Sequence, residues 1–578
     1  MTRKGSGENP LKGVRGKRGS FPPAKLISEM VEFTPEEVAR LSPFFTNVDE
    51  PVFGLKLPQE VAGALFSRYS RSAKSLRRVF LDEFHGEACV LAGGEKAADG
   101  EALKKARAFY DRVLVGYGDD SVAQLGGAHL AVERVSNVTA QVLEDARIGI
   151  AFLEKSTRYV RFDQRDSGGD FLWFREPSLM ASPHRDQYVA LMDRLFSAYA
   201  AQIDPMIAHI ERVLPIESVA VRHPKTGEPL DFSDVKRDAE LLRAARRAYA
   251  ATVRAHACDV MRSYLPAATL TNVGIFATGQ AYEHLLNRLL SHPVYECQAL
   301  AAALRRELDQ LIPSFVKRSA KSPWREDLRA RLAAAAARTL PPGPASSPSV
   351  TLVDFDRDGE EKVLAALLYP HADRPLAEVR SRVVAMSPPE RAELLASLAS
   401  GRRNRRDKPP RALEEAAYSF DLVGNLGIYR DLHRHRVLSQ ERQPFTASLG
   451  HDTPPEILEA GHGAVFEECM ARARDLHEAL KRDHPAEAPY VVPFAFRVRW
   501  YVTLNLREAV HVCELRSMPQ GHPDYRLVVQ EMWRRIEEVH PGLAAWGGFV
   551  NRDTYRLGRL QSEMRTEWKR AKPVERSS

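Results

Sequence analysis

The sequence predicts a helix-rich α+β fold made of two tandem domains of the same kind. In many segments apolar residues recur every three or four positions, as in LVVQEMWRRIEEV at 527–539, which is typical of amphipathic helices. Short apolar or alternating stretches, such as VTLVDF at 350–355 and YSFDLV at 418–423, are typical of strands. The third observation is a similarity between the two halves of the chain, which indicates an internal repeat.

The bulk composition narrows the class of protein. At 578 residues the chain is too long for one ordinary core, and 44% hydrophobic with 28% charged residues is typical of a soluble globular protein. No apolar run is long enough to cross a membrane and the N-terminus lacks the apolar core of a secretory signal, so we expect a cytoplasmic protein. The net charge of +7 suits anionic small ligands as well as nucleic acid.

Two breaks in composition divide the chain. Residues 1–25 are rich in Lys, Arg, Gly, Ser and Pro and predict a flexible basic tail. The stretch TLPPGPASSPS at 339–349 cannot continue a helix and predicts a linker. The predicted domains are therefore 26–338 and 350–578. The arginine-rich stretch at 401–410 predicts an exposed loop, with a phosphate contact as the alternative.

The cysteines predict neither a metal site nor a disulfide framework. They are scattered, without a CxxC pair, at Cys89, Cys258, Cys297, Cys469 and Cys513. We therefore expect a protein without a metal.

The internal repeat is clearest between 261–290 and 488–517. Laid together without a gap, the two segments pair Pro266 with Pro493. Both predict a strand-like piece, a turn and then a helix with a histidine on one face. Identity is low, which is typical of an ancient duplication.

Arginine-rich motifs mark the C-terminal half. RHRVLS at 434–439 places Arg434, His435 and Arg436 side by side, and NLREAVHVCELR follows at 505–516. Guanidinium groups stack on flat rings and form forked hydrogen bonds with anionic oxygens, so such a triplet is typical either of a site for an anionic or aromatic ligand or of a turn that faces solvent. The N-terminal half contains a different motif, EKSTRY at 154–159.

Together these motifs resemble the flavin-dependent thymidylate synthases. The family pattern joins Q-x-x-R-H-R-x-x-S-x-x-E-x-S-x-R-Y, then A-R-x-x-L-P, then N-x-R-x-x-x-[HN]-x-x-x-L-R. The resemblance implies conversion of dUMP to dTMP with FAD as cofactor and with methylene-tetrahydrofolate and NADPH as co-substrates. It also implies a homotetramer with sites at subunit interfaces. For this chain it implies two tandem synthase-like domains.

The two halves depart from the pattern in complementary ways. In the C-terminal half the Glu, Ser and Arg after the triplet are replaced by Arg442, Pro444 and Thr446, and Asp431 replaces the preceding Gln. The Arg of A-R-x-x-L-P is also lost there, at Pro489. The N-terminal half keeps the Glu, Ser and Arg of E-x-S-x-R-Y and the Arg of A-R-x-x-L-P but lacks the triplet. This pattern favours one composite site per chain, and a homodimer that mimics the family tetramer.

The resemblance implies a role for each retained residue. We expect Arg516 to be catalytic and to contact the uracil ring, because a fixed cation there would stabilise the negative charge that develops on the ring. The other residues expected to contact substrate are Glu154, Ser156, Arg158 and Arg262. The residues expected to hold the flavin are Arg434, His435, Arg436, Ser439, Asn505, Arg507 and His511. Cys513 is expected to be a core residue rather than a nucleophile.

Several alternatives stay open at this stage. The motifs at 434–439 and 505–516 are also compatible with a solvated basic turn and a helix-surface salt-bridge network, and 154–162 with an edge strand. The substrate could be another pyrimidine nucleotide, or the reaction hydroxymethylation. An inactive nucleotide- or nucleic-acid-binding homologue is the third alternative, although nucleic acid is not the expected partner. Of the family's H-x-S-x-x-E-H motif the N-terminal half keeps Ser121, with Asp119 and Gln124 in other slots, and the C-terminal half keeps Glu414, so the carbon donor stays open.

Overall fold

The computed structural model describes residues 33–49, 52–86, 122–341, 343 and 346–571. The predicted basic tail, Cys89, Asp119 and Ser121 lie outside these residues. By its internal contacts the chain separates into two compact units, 1–126 and 127–578. No helix in the described ranges is both long enough and apolar enough to cross a membrane.

The described residues of the first unit form three short helices around an aromatic core. The aromatic rings of Phe45 and Phe80 lie in this core with their centroids 5.2 Å apart. The helices are α1 (Pro35–Leu41), α2 (Gln59–Tyr69) and α3 (Leu76–Val79), the last continuing as a π-helical turn (Phe80–Phe84).

The second unit begins with the N-terminal half of the repeat. Its three-stranded antiparallel sheet has the order β1–β5–β2, and a two-stranded ribbon joins β3 to β4. The strands are β1 (Gly127–Ser136), β2 (Ile150–Glu154), β3 (Val221–Arg222), β4 (Pro229–Leu230) and β5 (Leu270–Thr278). The helices are α4 (Asn137–Glu144), α5 (Pro177–Met180), α6 (Arg185–Val213), α7 (Phe232–Arg237), α8 (Ala239–Met261), α9 (Gly279–Leu290), α10 (Tyr295–Leu311), α11 (Pro313–Val316) and α12 (Pro323–Thr339).

The C-terminal half lies in the same compact unit. Its four-stranded antiparallel sheet has the order β6–β7–β9–β8. The strands are β6 (Val350–Phe355), β7 (Ala417–Asn425), β8 (Leu438–Arg442) and β9 (Arg497–Asn505). The helices are α13 (Gly359–Leu368), α14 (Leu376–Val384), α15 (Pro388–Ala399), α16 (Leu426–Leu432), α17 (Pro455–Glu459), α18 (Gly463–Asp483), α19 (Leu506–Arg516), α20 (Pro523–Val539) and α21 (Leu560–Ala571). The proposed division into sequence domains at 339–349 stays a prediction.

The two halves repeat one topology. In each, a strand runs into a short helix, a second strand follows, and a third strand between these two leads into another helix: β1–α4–β2–β5–α9 and β7–α16–β8–β9–α19. Polar N-caps explain the strand-to-helix switches, because each cap side chain accepts a hydrogen bond from the first helical turn. The caps are Ser136 and Thr278 in one half and Asn425 and Asn505 in the other.

The halves meet about a local two-fold axis at the two prolines that the gapless alignment pairs. Pro266 and Pro493 form an antiparallel bridge. Ala267 N donates to Val492 O at 2.9 Å, and the symmetry-related bond runs from Phe494 N to Leu265 O, also at 2.9 Å. Reciprocal contacts of this kind are the signature of a two-fold interface. The chain therefore folds as a dimer of its own halves.

Most predicted elements are confirmed, with two corrections. The helix at 527–539 and the strands at 350–355 and 418–423 are present. The strand-like piece expected at the start of 488–517 begins only at Arg497, because the preceding residues form the crossing at Pro493. The alternative of an edge strand over 154–162 is wrong, since β2 ends at Glu154 and a turn follows.

Candidate active site

A largely buried cluster of ion pairs joins the end of β2 to α16 and the turn that follows it. The Glu154 carboxylate accepts a hydrogen bond from Arg430 Nη2 at 2.5 Å and another from Arg434 Nη2. Its side chain is 0% exposed, and the Arg430 guanidinium also donates to Thr157 Oγ1 at 3.0 Å. The N-terminal half thus supplies the carboxylate and the C-terminal half supplies both guanidinium groups.

A second carboxylate from α4 supports the same segment. Glu144 lies 3.2 Å from His433 Nε2 and 3.5 Å from Arg434 Nε. Burial raises the pKa of Glu144, but the His433 hydrogen bond and the Arg434 charge outweigh it and hold the pKa below its usual value. The carboxylate is therefore charged, which fixes the position of the triplet.

Arg158 and Arg516 come from different halves and contact the same tyrosine. The Arg158 guanidinium forms a bidentate pair with Asp259 at 2.8 and 2.9 Å and donates to Tyr525 Oη at 3.1 Å. The guanidinium carbons of Arg158 and Arg516 lie 5.5 and 5.8 Å from the centroid of the Tyr525 ring. Such contacts favour a cation near an aromatic face. The structure therefore brings together Arg158 and Arg516, two predicted site residues from different halves.

Arg262 is held at the end of α8 by the residue that replaces the expected glutamine. Its two terminal nitrogens lie 3.2 and 3.3 Å from Asp431 Oδ2. A methyl group added at Gly427 would lie 3.3 Å from Arg262 Nε, so the absence of a side chain there leaves room for the arginine. Burial raises the pKa of Asp431, but the charges of Arg262, Arg158, Arg434 and Arg516 outweigh it and hold that pKa well below its usual range.

Arg516 contacts a histidine instead of a carboxylate. Its Nε donates to His435 Nε2 at 2.9 Å, and His435 Nδ1 lies 3.4 Å from Glu508. Burial and the Arg516 charge lower the pKa of His435 to about 3, so the ring is neutral and Nδ1 carries its proton. Burial raises the pKa of Glu508 to about 7. Among the described residues no carboxylate lies within 4.0 Å of Arg516, which leaves this cation available to a ligand.

A cavity of about 190 Å³ opens beside α19 and the loop at 401–410. His511 lies in its wall, where Lys408 Nζ is 3.1 Å from His511 Nδ1. Burial and the charges of Lys408 and Arg405 lower the pKa of His511, although Glu508 opposes them. Within the described ranges, neither Lys408 nor Arg405 has a carboxylate within 4.0 Å. The lining residues are Arg405, Lys408, Pro409, Glu414, Val437, Asn505, Arg507, Glu508, Val510, His511 and Glu514.

The donor atoms of His435, Glu508 and His511 lie close enough together to hold a metal ion. Their surroundings argue against it, because Lys408 donates to one imidazole and Arg516 to the other. Two cations in direct contact with the ligand atoms would repel a third. The cluster fits an anionic or hydrogen-bonding ligand better.

Several other predicted residues have local structural contacts or lie on the surface, and their predicted roles stay predictions. Asn505 caps α19, and Arg507 donates hydrogen bonds to Pro409 O at 2.9 Å and to Glu414 at 3.0 Å. Asn505 and Arg507 also line the cavity. Ser156 Oγ accepts from the backbone N of Arg158, two residues along the turn. The exposed residues Arg436 and Ser439 lie on the surface of the segment that carries His435. Cys513 is fully buried, as expected for a core residue.

Several residues of the cluster were not singled out from the sequence, and most of them form ion pairs or hydrogen bonds with the motif residues. Arg430 could have been found, since it precedes Arg434 by one helical turn. Asp259, Glu144 and Tyr525 lie outside the motifs and have no distinctive spacing. Only the tertiary fold brings them to the arginines, within one half for Asp259 and Arg158 and between the halves for Glu144 and Arg434.

Comparison with known proteins places both halves in one group. Residues 79–314 and 351–542 match the family described as thymidylate synthase complementing protein. A UPF0159 protein of Chlamydia pneumoniae is 39% identical over 558 residues, which cover 94% of this chain and 99% of that protein. A flavin-dependent thymidylate synthase of Geobacter sulfurreducens is 32% identical over 140 residues, covering 22% of this chain and 60% of that protein. A solved flavin-dependent thymidylate synthase of Helicobacter pylori, complexed with FAD and dUMP, covers 36% of this chain and 100% of its own, at 14% identity and a TM-score of 0.26.

Proposed function

The chain belongs to the flavin-dependent thymidylate synthase family, matched through both of its halves, and on this premise we propose that it is an FAD-dependent methyltransferase that converts dUMP to dTMP. In this proposal methylene-tetrahydrofolate is the carbon donor and NADPH the reductant. The observation that carries the proposal is the composite cluster, in which Arg516 of one half and Arg158 of the other contact Tyr525. The proposed protein is a homodimer, in which four half-chains correspond to the family's four subunits.

The cavity beside α19 suits a flavin. A flavin dinucleotide offers anionic oxygens and a flat ring edge with hydrogen-bonding atoms. Arg405 and Lys408 supply cations that lack carboxylate partners within 4.0 Å in the described ranges, and the neutral imidazoles of His435 and His511 can hydrogen-bond to a ring edge. When bound, FAD supplies the hydride chemistry of the reaction. Arg434, whose guanidinium is already held by Glu154, would act chiefly by fixing the neighbouring His435.

Arg516 is the residue that we assign to catalysis. Attack by C5 of a uracil ring on an electrophilic carbon spreads negative charge over the ring oxygens and N3. A cation fixed in advance beside that ring lowers the barrier, because no reorganisation is needed when the charge develops. The hydrogen bond from Arg516 to the neutral His435 orients the guanidinium without neutralising it.

A second candidate keeps the fold and flavin but changes the pyrimidine or transfers a hydroxymethyl group. The ion pair of Asp431 with Arg262 favours it, since a negative charge then lies where the family pattern has a neutral glutamine. A third candidate is an inactive homologue that binds nucleotide or nucleic acid.

The test is an absorbance spectrum of purified protein with and without added FAD, followed by a mass-spectrometric product assay with dUMP, methylene-tetrahydrofolate and NADPH. A yellow protein that forms dTMP supports the proposal. A yellow protein without dTMP, assayed next with other uracil compounds, supports the second candidate. A protein that stays colourless with FAD and binds DNA in a salt-sensitive manner supports the third.

A further inference from the structure

We propose that Glu508 takes up a proton when a hydride reaches the bound flavin, so that the charge added to the cofactor is balanced inside its own site. The inference rests on the proposed function for the flavin and its reductant, and it adds a proton-accepting residue that the motifs do not mark. Glu508 lines the cavity beside α19, and among the described residues no Lys or Arg nitrogen lies within 4.0 Å of its carboxylate.

The lack of a cation partner distinguishes Glu508 from the other carboxylates in the cavity wall. Glu414 pairs with Arg507 at 3.0 Å. Glu514 forms a bidentate pair with Arg402 at 2.8 and 2.9 Å. Those two carboxylates have counter-ions that keep them charged, whereas Glu508 has none to hold it in the charged form when an anion arrives.

Two imidazoles flank the Glu508 carboxylate. His435 Nδ1 lies 3.4 Å from it, and the other nitrogen of that ring accepts a hydrogen bond from Arg516. In the cavity wall, a ring nitrogen of His511 lies within 4.8 Å of the Glu508 oxygen, and Lys408 Nζ is 3.1 Å from His511 Nδ1. Because Lys408 occupies Nδ1, the neutral His511 ring carries its proton on Nε2. Groups that can exchange protons with solvent therefore adjoin Glu508 in the cavity wall.

The charges around Glu508 leave its protonation state sensitive to a further charge. Burial raises the pKa of Glu508 to about 7, and the positive charges of His511, Lys408 and Arg507 only partly oppose it. Near neutral pH the carboxyl group is therefore divided between its two protonation states. The titratable and charged groups around it are Arg507, His511, Cys513 and Arg516 on its own helix, Arg405 and Lys408 from the loop at 401–410, Glu414 from the turn at 411–415, and His435 from the segment after α16.

Hydride transfer changes the charge of the cofactor by one unit. The hydride from NADPH brings two electrons and one hydrogen nucleus to FAD, so the reductant becomes NADP⁺ and the cofactor gains one negative charge. A negative charge beside a carboxylate raises its pKa, so Glu508 binds one proton from solvent. When the hydride leaves for the transferred carbon, the pKa falls and the proton returns to solvent. The site thus keeps the same net charge in both states of the cofactor.

Redox titration of the full-length, FAD-loaded protein between pH 7 and 9 counts these protons, with flavin absorbance as the measure of the reduced fraction. For a two-electron couple, each proton taken up lowers the potential by about 30 mV per pH unit. The hydride accounts for one proton and Glu508 for a second. We therefore expect the potential to fall by about 60 mV per pH unit in the unaltered protein and by about 30 mV in Glu508→Gln.

The matched control is Glu414→Gln, which removes a carboxylate from the same cavity wall. The hydrogen bond from Arg411 and, to a smaller extent, that from Arg507 hold the pKa of Glu414 below its usual value, although burial opposes them. Glu414 is therefore charged in both states of the cofactor and takes up no proton. Its variant should keep the steep dependence on pH, even if the potential itself shifts.

Infrared difference spectra of the unaltered protein near pH 8 give an independent measurement, which decides if Glu508→Gln does not fold. Reduction should add the carbonyl band of a protonated carboxyl group, and Glu414→Gln should keep this band. A fall of about 30 mV per pH unit in the unaltered protein, the absence of the band, or an equally steep fall in Glu508→Gln would overturn the inference and leave the proposed function standing. A protein that binds no FAD would overturn both.

Discussion

Glu154 and Arg434 form an ion pair across the local two-fold axis. In the corresponding pair on the other side of the axis, the charges are distributed between the halves in the same way. Arg442 ends β8 as Glu154 ends β2, and Asp145 follows the helix N-cap Ser136 by as many residues as Arg434 follows Asn425. Arg442 and Asp145 are 2.8 Å apart. In both pairs the N-terminal half supplies the carboxylate and the C-terminal half the guanidinium. The two halves are therefore complementary to each other and no longer to copies of themselves.

This polarity predicts how the halves pair when the linker is cut. Two N-terminal halves would place Glu154 against Asp145, and two C-terminal halves Arg434 against Arg442, which opposes both self-pairings. After proteolytic cleavage at a site inserted in 339–349, we expect native mass spectrometry to find a one-to-one complex of the fragments. After separation in urea and remixing, only the mixed complex should re-form. Equal amounts of self-paired fragments would contradict this explanation.

Removing the Glu154 carboxylate should destabilise the protein strongly. Glu154→Gln leaves the buried guanidinium of Arg430 without a counter-ion, and breaking a buried pair in this way costs about 3–5 kcal/mol of unfolding free energy. Urea denaturation followed by circular dichroism measures it. The matched variant is Arg442→Gln, which should cost less because Asp145 keeps its second partner, Arg288, at 3.1 Å. Equal losses would show that the pair at Glu154 is no more important to stability than its counterpart.

Arg516 should affect the rate and leave the cofactor in place. Arg516→Ala removes a preorganised cation, so we expect kcat to fall by on the order of 10²–10³, while the Kd for FAD changes by less than about twofold. Product assays and fluorescence titration of FAD measure the two quantities. The control is Arg436→Ala, an exposed neighbour of His435, which should change kcat by less than about twofold if it is a surface residue. Loss of FAD binding in Arg516→Ala would assign this arginine to the cofactor instead.

The repeat was predictable from the sequence because the two halves have the same order of strands and helices, which the patterns of residue types in both halves reflect. A gapless alignment pairs Pro266 with Pro493, and these residues meet at the local two-fold axis. Strands and helices were predictable where their periodicity is long, as in 527–539. The structure of the segment before Arg497 was not predictable, since its apolar residues form the contact between the two halves at Pro493 and not a strand.

The motif residues were predictable, but their electrostatic state was not. Arg158 and Arg262 are recognisable from their spacing, whereas their carboxylate partners are not. Asp259 reaches Arg158 through the fold of the N-terminal half, and Asp431 reaches Arg262 only when the two halves pack. Charge balance at a site depends on distances of a few ångströms between distant parts of the chain. A pattern of residue types therefore located the cluster without revealing which of its cations remain free.

Glu508 should give the protein an identifiable dependence of stability on pH. Burial raises its pKa to about 7 from an ordinary value of 4.5, so between these values the folded state holds a proton that the unfolded state has released. The stability contributed by this group is complete below pH 4.5, falls as the pH rises towards 7, and levels off above it. A shift of this size corresponds to on the order of 3 kcal/mol.

Glu508→Gln cannot titrate, so its unfolding free energy relative to the unaltered protein should rise between pH 4.5 and 7. Taking this difference cancels the contributions of groups that are the same in both proteins, including the buried His435. Urea denaturation across pH 4–8 measures it, with Glu393→Gln, an exposed position on α15, as the matched control that should give a flat difference. A flat difference for Glu508→Gln as well would mean that the Glu508 carboxylate is charged at neutral pH. It would then act as a true ion-pair partner of the cations around it, Lys408 and Arg507, and not as a neutral hydrogen-bonding group.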